Sequence, residues 1–143
     1  MLHNIPPILS PDLLHSLRAM GHGDEIVIAD ANFPAMTMAQ RYHRLDGNSA
    51  TDVLDAILCL LPLDSYTPDP AVVMQVVDDP DTVPPIVGAF QTIVTDRADM
   101  PITLAKLERF AFYDRAKTAF AIVQTGETRL YGNIILKKGV IGT

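Results

Sequence analysis

Apolar positions along this chain recur with two different periods, and each switch between them marks the border of an element. Leu13, Leu14, Leu17 and Met20 fall on one helical face. Ser10-Pro11-Asp12 starts that helix, because a serine side chain can cap free backbone N–H groups and proline at the first helical position loses no needed donor. Gly21 and Gly23 end it. Glu25-Ile26-Val27-Ile28-Ala29-Asp30 follows as a short β-branched run of the length of a buried strand, with Asp30 at its C-terminal end. After the loop Ala31-Asn32-Phe33-Pro34-Ala35, a weaker strand spans about Arg41 to Leu45, closed by the turn pair Asp46-Gly47.

The second half of the chain repeats this alternation. A helix from about Ser49 to Leu61 carries Val53, Leu54, Ile57, Leu58 and Leu61 inward, with Asp52 and Asp55 facing away. Asp64 to Pro70 is loop, Ala71 to Val77 a strand stopped by the Asp78 to Asp81 cluster, and Pro84-Pro85 opens a helix through Ile86, Phe90 and Ile93 to about Arg97. Ile102 to Glu108 reads as strand and Phe110 to Phe120 as helix, with Phe112, Ala116 and Ala119 inward. Ala121 to Thr125 and Ile134 to Leu136 are the last strands, separated by Gly126-Glu127 and Tyr131-Gly132-Asn133. Strands alternating with helices of this length predict an α/β fold: one domain over residues 1–143, a central sheet with helices packed on its faces. Ligands in such folds gather at the C-terminal ends of strands.

Composition narrows the classes. A formal charge of −6 with no Lys/Arg-rich run argues against nucleic acid, whose backbone demands several cationic contacts. No apolar stretch is long enough for a bilayer. The lone Cys59 cannot form an internal disulfide, and the first residues lack a signal-peptide layout, so the expected location is the cytoplasm. Cys59, near the apolar face of its helix, is expected in the core. His3, His15, His22 and His43 have no metal-ligand spacing and there is no second cysteine, so no metal is expected; no phosphate loop or dinucleotide fingerprint is present either.

Four places could carry chemistry. His22, between two glycines, is either a proton-transferring imidazole with room for a ligand or a capping histidine at a helix end. Asp30 either orients a polar substrate or caps its loop. Arg109 is either a donor to sugar-like hydroxyls or a solvated cation. Tyr131-Gly132-Asn133 offers a phenol and a carboxamide that donate and accept hydrogen bonds, or is a plain turn. Glu127 has no role that its neighbours reveal. His22 and Asp30 lie at opposite ends of one strand, so direct contact between them requires the chain to double back or a second subunit to contribute.

Met20-Gly21-His22-Gly23-Asp24-Glu25-Ile26, then Asp30-Ala31-Asn32-Phe33-Pro34, then Arg109-Phe110-Ala111-Phe112-Tyr113, Thr125-Gly126-Glu127, and Tyr131-Gly132-Asn133 through Val140 stand in one order at set spacings. In these motifs the chain resembles the D-ribose pyranase / L-fucose mutarotase family, from about Ile8 to Val140, with the match weakest over Pro68 to Met100. The Arg109-Phe110-Ala111-Phe112-Tyr113 run is similar to the fucose branch; Asn32 stands where some of its members carry histidine, and Met36 and Met38 occupy a loop that is often more polar there. The resemblance implies an isomerase that interconverts the α and β anomers of L-fucose or a related 6-deoxyhexose without a cofactor. It implies His22 as the catalytic proton-transferring residue, and Asp30, Arg109, Tyr131, Gly132 and Asn133 as substrate-binding residues. It also implies a homo-oligomer, a decameric ring, with sites at subunit interfaces and a free monosaccharide as ligand. The rival expectations are a ribose pyranase and a non-catalytic sugar-binding module.

Overall fold

A computed structural model describes residues 1–142 and carries the expected α/β architecture in three layers. In chain order the elements are α1 (Pro11–Ala19), β1 (Glu25–Ala29), α2 (Ala35–Met38), β2 (Tyr42–Leu45), α3 (Ala50–Leu58), β3 (Ala71–Met74), α4 (Pro85–Arg97), β4 (Ala105–Leu107), α5 (Arg109–Thr118), β5 (Ala121–Thr125) and β6 (Ile134–Lys137). Ser10 caps α1 and Ser49 caps α3, each hydroxyl accepting from an amide of the first turn.

The six strands form one sheet in the order β2-β5-β1-β6-β3-β4. All neighbouring pairs are parallel except those of β6, which runs antiparallel to both β1 and β3. Strand alternation sends Ile26, Ile28, Val123, Ile134 and Leu136 to one face, where α1, α3 and α4 cover them. Val27, Ala29, Ile122 and Ile135 point to the other face, beneath Phe33 and the α5 residues Phe112 and Ala116. Burial on both faces explains why these strands are apolar runs rather than alternating patterns.

Four expectations change in detail. Residues 35–38 form one helical turn that the sequence did not announce. Strand β3 stops at Met74, because Val76 and Asp79 pair across a turn in which Asp78 takes a φ of 60°. Strand β4 starts only at Ala105: the Gln91 carboxamide on α4 donates to the Ile102 carbonyl at 2.8 Å and accepts from the Leu104 amide at 2.9 Å, satisfying the backbone that a longer strand would have used. Helix α3 ends at Leu58, three residues early, so Cys59 sits at its C-cap and is exposed rather than in the core.

The direction of β6 decides where functional groups collect. Parallel strands place their C-terminal ends at one edge of the sheet, and the antiparallel β6 brings its N-terminal approach, residues 131–133, to that same edge. The opposite edge receives the segment before β1, the segment before β3 and the end of β6.

Candidate functional site

Asp30, at the C-terminal end of β1, is buried at 6% exposure and is held from three sides. Its own amide donates to Asn133 Oδ1 at 2.8 Å, and Asn133 Nδ2 donates back to Asp30 Oδ2 at 3.0 Å, a reciprocal clasp between the ends of two adjacent strands. The Asn32 amide donates to Asp30 Oδ1 at 3.0 Å. Burial pushes the Asp30 carboxyl above its ordinary value; the Asn32 amide, the Asn133 side chain and the amides of Phe33 and Gly132 pull back against this without cancelling it.

Around this clasp opens a cleft of about 240 Å³, lined by Asp30, Asn32, Phe33, Arg109, Tyr113, Tyr131 and Asn133 with the apolar side chains of Met74, Val77 and Leu130. Arg109 opens α5 and stands exposed over it, its guanidinium 5.4 Å from the Tyr113 ring centre. Tyr131 adopts a left-handed φ of 63°, and its hydroxyl accepts from the Val77 amide at 3.1 Å. Gly132 is needed for close approach: a Cβ there would fall 2.8 Å from Glu127 Cγ and 3.0 Å from Ile86 Cδ1. The cleft therefore pairs acceptors and donors for hydroxyls with an apolar wall, the chemistry of a sugar with one unsubstituted face.

Behind it, Glu127 is 4% exposed and accepts from the Ala50 amide, the Arg129 amide and the Arg129 guanidinium. Arg129 draws its carboxyl below the ordinary range. Its role is to anchor the 127–131 turn, which the flanking sequence does not reveal.

His22 is not in this cleft. It lies before β1 at the opposite sheet edge, so the five-residue strand, about 17 Å long, separates it from Asp30. Its Nε2 stands 3.0 Å from Asp64 Oδ1, and its ring packs 5.5 Å from that of Tyr66. Burial raises the Asp64 carboxyl, but the Tyr66 amide and the His22 ring outweigh it and hold the group below its ordinary value. Asp64, from a loop 42 residues away, carries no sequence signal that would have paired it with His22. His22 also edges a larger trough, about 610 Å³, whose lining is chiefly apolar and includes the exposed Leu2, Val140 and Ile141. The fold thus gathers Asp30, Arg109, Tyr131 and Asn133 around one cleft with Gly132 behind them, and places His22 with Asp64 on the far edge. Among the described residues, no group of three or more His, Cys, Asp or Glu could hold a metal.

The sequence matches the RbsD / FucU transport protein family over residues 3–141. It is 49% identical over 146 residues to the human protein named fucose mutarotase, covering 98% of this chain and 94% of that one. It is 48% identical to an L-fucose mutarotase of Histophilus somni, covering 98% and 97%. A crystal structure of the fucose mutarotase from Streptococcus pneumoniae in complex with L-fucose superposes with a TM-score of 0.92 at 48% identity, covering 99% of this chain and 100% of that one.

Proposed function

Because this chain belongs to the RbsD / FucU transport protein family, we propose that it is a mutarotase interconverting the α and β anomers of L-fucose, an isomerase that acts without a cofactor. The observation that carries this reading is the Asp30–Asn133 clasp at the floor of a cleft walled by Arg109 and Tyr131. Such a floor offers a fixed carboxylate to sugar hydroxyls, and the Met74, Val77 and Leu130 wall suits a 6-deoxy methyl group better than a hydroxymethyl. Near half identity to proteins named for fucose favours that sugar over the ribose pyranase alternative.

Mutarotation removes the proton of the anomeric hydroxyl and delivers one to the ring oxygen; the bond between the anomeric carbon and the ring oxygen breaks. The open aldehyde rotates and recloses on its other face, returning both protons, so nothing is consumed. An imidazole can serve as acid or base near neutrality, and His22 is assigned this proton transfer, with Asp64 aligning its ring. Asp30, Arg109, Tyr131, Gly132 and Asn133 are assigned to hold the sugar. The separation of His22 from the cleft supports a site completed across a subunit boundary, and the exposed apolar trough beside His22 supports association of copies, a decameric ring in this reading. The single cysteine is in keeping with a cytoplasmic location, and no helix among the described residues is long and apolar enough to cross a membrane.

Exchange NMR on the anomeric protons of L-fucose, with D-ribose in parallel, tests the reading. Acceleration with fucose that disappears in His22→Asn is the expected result. Faster exchange of ribose alone would make the protein a pyranase, and binding without acceleration would make it a sugar-binding module.

A further inference from the structure

We propose that Gln124, the fourth residue of β5, is a positioning residue that presets the sugar-contacting loop 31–33; the inference rests on the cleft being the sugar site. Gln124 is 9% exposed, and both ends of its carboxamide are hydrogen-bonded. Nε2 donates to two carbonyls of that loop, Phe33 at 2.9 Å and Ala31 at 3.2 Å, while Oε1 accepts from the Tyr42 hydroxyl at 2.7 Å. Two carbonyls on one atom and a hydroxyl on the other determine which end is the amide nitrogen: only an NH2 can face both carbonyls.

These bonds act on the residue between them. With the carbonyls of Ala31 and Phe33 tied to one nitrogen, the peptide flanking Asn32 is held so that its amide meets Asp30 Oδ1, while Asn32 and Phe33 line the cleft. The chain of donors continues outward: Arg44 Nη1 donates to the Tyr42 oxygen at 3.2 Å, and Arg44 is itself paired with Asp46. A polar line thus runs from the exposed Arg44 on the edge strand β2 through Gln124 to the floor of the cleft. In water a loop ordered this way binds at lower entropic cost, so its loss weakens substrate binding more than turnover.

The isosteric Gln124→Glu exchange turns two attractions into repulsions, placing a carboxylate oxygen against the two carbonyls. It should raise the KM for L-fucose about tenfold with kcat within about threefold of the starting protein. Tyr42→Phe leaves the carboxamide but frees its oxygen, and should raise KM by about threefold. Amide hydrogen exchange, read without sugar, should show lost protection in both variants at Asn32, whose amide the held peptide presents to Asp30 Oδ1. A lowered melting temperature with KM and loop protection unchanged would make Gln124 a purely structural residue and overturn the proposal, as would a fall in kcat at constant KM. If Gln124→Glu fails to fold, Tyr42→Phe carries the same test. A starting protein that accelerates neither fucose nor ribose exchange would overturn the functional reading instead, and fucose affinity by calorimetry together with loop protection would then decide the role of Gln124.

Discussion

His22 Nε2 and Asp64 Oδ1 stand 3.0 Å apart at the sheet edge opposite the Asp30 cleft, joined from loops 42 residues distant in the chain. Binding of this nitrogen to a carboxylate directs the Nε2–H tautomer, and in the proposed mechanism Nδ1 is the atom that exchanges a proton with substrate. Asp64→Asn should therefore lower kcat by about tenfold to a hundredfold, and His22→Asn by about 10²–10⁴-fold, the range of general acid–base catalysis. Saturation transfer between the fucose anomeric protons measures both. Full activity in either variant would remove that residue from the proton path.

Mixed assemblies test the division of the site. His22→Asn and Asp30→Asn are each expected to be inactive. If each site takes His22 from one copy and Asp30 from another, mixing the two variants after reversible dissociation should restore about a quarter of full activity. A mixture as inactive as its parents would show that no site combines the His22 of one copy with the Asp30 of another.

Gly132→Ala should destabilise the fold by about 1–3 kcal/mol, the usual cost of overpacking. The added methyl has no room between Glu127 Cγ and Ile86 Cδ1 and also lies 3.1 Å from the Arg129 carbonyl. Relief must come from moving the 129–133 segment, which carries Tyr131 and Asn133, so fucose affinity should fall as well. Urea midpoints and calorimetric titration read the two effects.

Glu127 predicts a pH dependence of stability. Arg129 holds its carboxyl below the ordinary 4.5, so its contribution is complete above that pH and is lost as pH falls through the lower folded-state value. At pH 7, Glu127→Gln should cost about 1–3 kcal/mol through lost charge-assisted hydrogen bonds. The gap between the two urea midpoints should narrow on acidification below 4.5 and stay constant above it. A gap that is independent of pH would show that the charge contributes nothing.

Local patterning determined most of the elements of this protein. Ser10 and Ser49 announce helix starts, and the β-branched runs 26–28, 71–74, 121–123 and 134–136 are legible because the sheet is covered on both faces. The identities of His22, Asp30, Arg109, Tyr131, Gly132 and Asn133 as candidates were equally visible, since their motifs are contiguous. Tertiary structure decided what those residues share. Gln91 ends a strand by taking its backbone bonds, which no reading of residues 102–104 alone reveals. The antiparallel insertion of β6 between β1 and β3 carries Asn133 to Asp30 across 103 residues, and brings Asp64 to His22 at the other edge. Hydrogen bonds within a helix or turn connect near neighbours and leave a periodic trace in sequence; those between strand ends depend on sheet order and direction, which sequence spacing does not encode.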